Sequence, residues 1–153
     1  VKLSEQGVTL LIEREGMKKR AYTDTKGIWT IGVGHTGPEV YDGLYWTEEQ
    51  CREVFLKDVA RFERSVNDCV TVSLEQHQFD ALVSFAFNCG EMALPHSGVV
   101  GGPPSSILRA LNAGDYEGAT VAFNNWMRDP EVRTRRAAER EQFAGRHFQA
   151  RYP

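Results

Sequence analysis

The stretch Glu15-Gly16-Met17-Lys18-Lys19-Arg20-Ala21-Tyr22-Thr23-Asp24-Thr25-Lys26-Gly27-Ile28-Trp29-Thr30-Ile31-Gly32-Val33-Gly34-His35-Thr36 holds most of the information in this 153-residue chain. Its centre reads as strand, turn, strand. Ala21 to Thr23 form a short strand, Asp24-Thr25-Lys26-Gly27 opens with Asp and closes with Gly as a tight turn does, and Ile28 to Val33 return. Upstream, Val8, Leu11 and Ile12 recur at the spacing of one helix face, and Glu15 continues that stripe toward apolar surface. Ser4 is the expected N-cap of this helix, and Gly16 sits just past its end, where a left-handed conformation is cheap. Glu13 falls on the opposite, solvated face.

Three side chains in this stretch carry chemistry. Glu15 lies in the last helical turn, where the negative end of the helix dipole and partial desolvation both favour the neutral carboxylic acid, the form a proton donor needs. Asp24 sits in a polar, wet turn. A lone aspartate there most often just bonds its own turn backbone. Thr30 lies one strand later, on the face opposite Trp29 and Ile31, where a β-branched residue is at home in any case. Taken together, two carboxylates in unlike environments and a nearby hydroxyl are what glycoside hydrolysis requires. The candidate catalytic set is Glu15, Asp24 and Thr30.

The order Glu, Asp, Thr, then Gly-x-Gly-His resembles the active-site signature of phage-type lysozymes, the endolysin family of glycoside hydrolases. Further on, Gln78-Phe79-Asp80-Ala81-Leu82-Val83-Ser84-Phe85-Ala86-Phe87-Asn88-Cys89-Gly90 and Leu111-Asn112-Ala113-Gly114-Asp115-Tyr116 resemble that family's central and later helices. The resemblance implies a muramidase that cleaves the β-1,4 bond between N-acetylmuramic acid and N-acetylglucosamine in bacterial peptidoglycan. Glu15 would protonate the leaving oxygen, and Asp24 with Thr30 would hold and activate the attacking water, an arrangement associated with inversion. The implied fold is α+β, predominantly helical and two-lobed. A small β-hairpin lobe at about 16–46 is joined by a long helix at 47–67 to a helical lobe at 68–153, with the N-terminal helix near that lobe and the substrate groove between lobes. The whole chain is expected to be one catalytic domain.

Composition is compatible with this reading. A chain of this length with 41% hydrophobic residues can bury a core without metal or disulfide staples. Cys51, Cys69 and Cys89 are an odd set without CxxC spacing, so three reduced thiols on helices are expected, with one disulfide plus a free thiol as the alternative. No Cys and His cluster has metal-site spacing, and no cofactor is expected. The first residues are too polar for a signal peptide and no apolar run approaches membrane-spanning length, although the chain begins with Val and an upstream signal or anchor is not excluded. The expected partner is peptidoglycan, with no nucleic acid, no stable membrane insertion and a monomeric chain. By the resemblance, the enzyme collects in the host cytoplasm and reaches the wall through a lesion made by a separate membrane-permeabilising protein, a holin.

Beyond the hairpin, Gly37-Pro38 and Asp42-Gly43 mark loops. Thr47-Glu48-Glu49-Gln50 has the form of a capping box opening a long helix with Cys51, Phe55, Val59, Phe62 and Val66 inward. Ser73-Leu74-Glu75-Gln76 reads as a second box, before a helix with Phe79, Leu82, Val83, Ala86 and Phe87 as core and Gly90 as its stop. A helix from Pro104 to Leu111 ends at Gly114, Asp115 caps the next, and Asp129-Pro130 opens the last. The loop between Glu91 and Ser105 is rich in Gly and Pro and reads as mobile. From Arg128 onward seven arginines face four acids in a chain of net charge −3, and pairs such as Glu131 with Arg135 suggest a solvated helix.

Gly32-Val33-Gly34-His35-Thr36-Gly37 spells a dinucleotide fingerprint but lacks the helix start that would receive a pyrophosphate, so we reject that reading. The glycines and His35 are instead candidates for contact with sugar. His35 itself is expected to be tied to a carboxylate rather than to act as a base. Tyr45, Trp46 and Trp126 could stack on sugar rings, but unassigned aromatics are more often partly buried structure. Rival readings are a lytic transglycosylase, a bacterial antibacterial effector of the same chemistry, and a non-catalytic wall-binding module.

Overall fold

The structure, a computed structural model, describes residues 1–145; Arg146 and Arg151, two of the seven arginines counted above, lie outside the described residues. In order the elements are α1 (Glu5–Glu15), β1 (Lys18–Thr23), β2 (Trp29–Gly32), β3 (His35–Thr36), α2 (Glu48–Cys69), α3 (Gln76–Cys89), α4 (Ala93–His96), α5 (Ser106–Asn112), α6 (Tyr116–Ala122), a 3-10 turn (Phe123–Trp126) and α7 (Pro130–Phe143). The expected mostly helical α+β architecture is present. The chain divides into two compact units, Val8–Ala60 and Val1–Gly7 with Arg61–Pro153, so the divisions fall inside α1 and α2.

The Val8–Ala60 unit is built on a three-stranded antiparallel sheet in the order β1-β2-β3. The third strand was not foreseen: it follows a turn at Val33–Gly34 and pairs Thr30 with Thr36 and Ile31 with His35. A further stretch expected to be loop adds to the other edge, where the Ala21 and Trp46 amides donate to the Leu44 and Lys19 carbonyls. Alternation does the packing. Ala21, Ile31 and Val40 form a buried cluster with Trp29, Leu44 and Trp46 against it, while Thr30 points the other way. In α1, Val8 and Leu11 are buried as expected, and so is Leu10, which widens the apolar face beyond the stripe read from spacing.

His35 is tied down at both ring nitrogens, Nδ1 to Asp58 of α2 at 2.6 Å and Nε2 to Glu39 at 2.5 Å. Burial is the largest single influence and lowers the imidazole pKa, but the hydrogen bonds and charges of Glu39 and Asp58 together outweigh it, and the net shift is upward. The bond to His35 holds the Glu39 carboxyl below its ordinary value. The expectation that this histidine serves a carboxylate is met twice over.

In the helical unit, Ser4 accepts the Gly7 amide at 2.9 Å and donates its hydroxyl to Asp80 Oδ2 at 2.5 Å, so it caps α1 while satisfying a carboxylate buried on α3. A side chain at position 7 would come within 2.5 Å of that carboxylate, which explains the glycine. On α2 the box forms as read, with Thr47 and Gln50 exchanging bonds, and Cys51, Phe55, Val59, Phe62 and Val66 are all buried. The second box is displaced by two residues: Glu75 is the N-cap of α3 and pairs with Gln78, while the Ser73 carbonyl accepts the Tyr116 hydroxyl. Similarly, α5 begins at Ser106 under a Ser105 cap rather than at Pro104. The stretch between Glu91 and Ser105 is organised rather than featureless, since Ala93 and Leu94 are buried and the Leu94 carbonyl accepts the Ser105 amide. All three cysteines are free thiols. Burial pushes all three up, Cys69 to about 11, so they stay protonated and unreactive at neutral pH.

The last helix corrects a sequence expectation. It was read as solvated, with Glu131 paired to Arg135. Instead Arg135 turns to Glu139 at 2.9 Å, Arg136 bonds the other Glu139 oxygen, and Ser84 of α3 donates to Glu139 at 2.7 Å. Glu139 is 0% and Arg136 1% exposed. Arg136 also reaches Asn88 at 2.7 Å and lies over the Phe85 ring. A charge-rich repeat on a helix usually faces water, but here each side-chain nitrogen of Arg136 and each carboxylate oxygen of Glu139 has a partner, which is the condition for burying them.

Two outcomes follow from these contacts. The His35 contribution is complete below its ordinary 6.5 and lost as pH rises through its raised folded value, whereas the Glu39 contribution is complete above 4.5 and lost as pH falls through its lowered one. The melting-temperature gap between wild type and His35→Asn should therefore be widest between those values and close on the alkaline side; a gap independent of pH would contradict the arrangement. Glu139→Ala strands a buried guanidinium and should cost roughly 3–5 kcal/mol in denaturant unfolding, against a much smaller effect for Glu131→Ala.

Candidate active site

All three candidate catalytic residues belong to the Val8–Ala60 unit. Glu15 is the final residue of α1 and is half-buried. The helix stops there because Gly16 turns left-handed, φ 81°, while its amide still closes on the Ile12 carbonyl at 2.7 Å. Glu13 is exposed, as its position on the polar face requires.

Asp24 and Thr30 are joined through the main chain of one residue, Ile28. The turn closes as read, with the Gly27 amide on the Asp24 carbonyl at 3.0 Å and Gly27 at φ 79°. The Asp24 Oδ1 accepts the Lys26 amide at 2.8 Å and the Ile28 amide at 2.9 Å, an Asx-type closure that fixes the carboxylate plane. The Ile28 carbonyl then accepts both the Asp24 amide at 2.9 Å and the Thr30 hydroxyl at 3.0 Å. Both candidate side chains are thus indexed to the Ile28 backbone. Among the described residues only Oδ1 of Asp24 takes hydrogen bonds, which leaves Oδ2 to face an incoming donor. Because the Thr30 proton is committed to Ile28, its oxygen presents lone pairs, so toward a water molecule it acts as an acceptor.

The bland reading of Asp24, a residue bonding its own turn, is therefore true of one oxygen and leaves the other unassigned. Thr30 is buried on the central strand, flanked by Tyr22 of β1 and Thr36 of β3. Neither Ile28 nor the partners of His35 could be picked out from sequence. Ile28 acts through backbone, which no side-chain pattern records, and Asp58 reaches His35 from a helix beginning a dozen residues downstream.

The Gly-x-Gly pair splits. Gly32 is covered: a Cβ there would lie 3.3 Å from the Trp46 ring, so this glycine serves packing. Gly34, with φ 71°, is exposed and has nothing near its Cα face, so its backbone is open to a ligand. No helix begins here to receive a pyrophosphate, as α2 starts only at Glu48. Trp46 stacks at an angle on His35 with ring centres 5.5 Å apart and belongs to the sheet core, while Tyr45 is exposed. Among the described residues no three His, Cys, Asp or Glu side chains are grouped to hold a metal.

Comparison with known proteins identifies the family of the chain. Residues 12–139 match the family model described as phage lysozyme. The endolysin of Salmonella phage P22 is 37% identical over 151 residues, 94% of this chain and 98% of that protein. A crystal structure of a mutant P22 lysozyme superposes with a TM-score of 0.82 at 37% identity, covering 94% of this chain and 99% of the other. The muramidase domain of SpmX from Asticaccaulis excentricus does so with a TM-score of 0.80 at 34% identity, covering 93% and 97%. The chain belongs to the phage lysozyme family and is a lysozyme-type glycoside hydrolase, an endolysin muramidase whose substrate is bacterial peptidoglycan.

Proposed function

We propose that Glu15 is the general acid of this muramidase and that Asp24 and Thr30 together position and activate the water that displaces the leaving sugar. In this reading Glu15 gives its proton to the glycosidic oxygen as the bond to the muramic acid C1 lengthens. On the opposite face of the ring, Asp24 Oδ2 takes one proton of the water while Thr30 Oγ1 accepts a hydrogen bond from the O–H that stays on the product, aiming the oxygen lone pair at C1. The observation that carries this reading is the Ile28 main chain, whose amide holds the aspartate carboxylate and whose carbonyl holds the threonine hydroxyl, leaving each side chain with an acceptor atom uncommitted. Direct attack by water inverts the anomeric centre. Gly34 and His35 supply backbone and edge contacts for the sugar.

Glu15→Gln keeps shape and removes the transferable proton, so it should fold normally while losing at least about a thousandfold in turnover, with Asp24→Asn comparable. Thr30→Val should lose less, about tenfold to a hundredfold in kcat with little change in KM. NMR of fresh product should show the α anomer first. Mass spectrometry showing 1,6-anhydromuramic ends would replace hydrolysis by transglycosylation, and undiminished wall clearing by Glu15→Gln would remove it as the acid.

We further propose that the chain acts as a single monomeric catalytic domain, that it collects in the host cytoplasm, and that it reaches the wall through a lesion made by a separate membrane-permeabilising protein. No helix among the described residues is long and apolar enough to cross a membrane. Cells expressing this chain alone should then stay intact until the membrane is permeabilised and lyse promptly afterwards; lysis without permeabilisation would point to a route of its own.

A further inference from the structure

Thr30 is only 5% exposed, although it lies on the sheet face turned away from the core cluster and its neighbours there are open to water: Ile28 and Thr36 are exposed, and Tyr22 is 37% exposed. Strand pairing says what stands beside it. Tyr22 of β1 and Thr36 of β3 are both registered directly against Thr30, so the three residues form one row across the sheet. They share a face, because Ala21 and Ile31, the chain neighbours of Tyr22 and Thr30, are both turned into the core cluster. Side chains paired in this way have Cβ atoms about 4.5–5.5 Å apart, and an aromatic ring opposite a β-branched residue is among the favourable pairs. Of the two flanks, only Tyr22 carries a side chain large enough to shelter the Thr30 hydroxyl.

That shelter has a chemical consequence. The Thr30 hydroxyl donates to the Ile28 carbonyl at 3.0 Å, a bond between two residues of one strand for which open water would compete. Released from it, the hydroxyl donates as readily as it accepts, and an incoming water would meet a proton as often as a lone pair. Where water is kept away the bond is stronger, and the side chain stays in the rotamer that makes it. We propose that Tyr22 is a positioning residue for hydrolysis: its ring keeps bulk water off Thr30 and so holds the threonine oxygen as an acceptor toward the attacking water. The inference rests on the role proposed above for Thr30, and Tyr22 acts through that residue. Because the covering ring does the work, and not the phenol, phenylalanine serves equally in its place.

The test is a double-mutant cycle in the full chain, with turnover measured on soluble glycan strands. Tyr22→Ala should lose about tenfold in kcat with little change in KM, Tyr22→Phe should match wild type, and Tyr22→Ala/Thr30→Val should be no slower than Thr30→Val alone. Losses that multiply in the double variant, a loss expressed mainly in KM, or a Tyr22→Phe as slow as Tyr22→Ala overturns the proposal while leaving the role of Thr30 standing. A Thr30→Val enzyme as fast as wild type shows instead that the reading of Thr30 has failed, and the role of Tyr22 falls with it. Three-bond NMR couplings of the Thr30 γ-methyl supply an arm independent of turnover. They should report one rotamer in wild type and Tyr22→Phe and averaging in Tyr22→Ala; unchanged couplings in Tyr22→Ala overturn the proposal. If Tyr22→Ala does not fold, Tyr22→Val, a good strand former without the reach of the ring, takes its place in every comparison.

Discussion

The hairpin closes on the main chain of one residue, Ile28, and the proposed chemistry depends on it. Ile28 donates its amide to the Asp24 carboxylate and receives on its carbonyl both the Asp24 amide and the Thr30 hydroxyl. A backbone group cannot be moved by choosing another rotamer, so the two side chains are referenced to a rigid point rather than to one another. This is the economy of building a site at a turn between strands: short-range bonds that any Asx turn would make also orient the groups left over. The Glu15 end is set by equally local means, a left-handed glycine that ends α1 directly after the proposed acid.

Around that hairpin the structure spends polar groups to hold geometry. His35 bridges Glu39 and Asp58, linking β3 to the loop after it and to α2. Gly32, left-handed at φ 67°, lets the sheet close tightly against Trp46, while Gly34 keeps its face open. The same two-glycine pattern thus does two unlike jobs, one in packing and one at the surface.

The helical unit solves a different problem. Its last helix carries more charge than a core element usually tolerates, yet Arg135, Arg136, Glu139 and Ser84 satisfy one another across α3 and α7. A buried ionic network of this kind is weak evidence for extra stability, because dehydrating the charges consumes much of what their attraction returns. Its clearer consequence is register: α7 cannot rotate by one residue without stranding a guanidinium in the core.

The sequence by itself determined what depends on neighbours along the chain. The Asp-to-Gly turn, the cap at Ser4, the Thr47 box, the α2 stripe and the stop at Gly90 all rest on contacts within a few residues, where spacing and chemistry are one and the same. The family signature was legible for the same reason, since its parts sit within one hairpin and the helix before it. What only the tertiary structure decided are the distant partnerships of Asp58 for His35 and Asp80 for Ser4, the choice of Glu139 over Glu131 for Arg135 within α7, and the third strand with its added edge at Leu44 to Trp46. In each case the sequence offered several partners of equal chemistry. Distance in space chose among them, because an ionic or hydrogen-bonding group goes to the partner that the packing of apolar faces has already brought within reach.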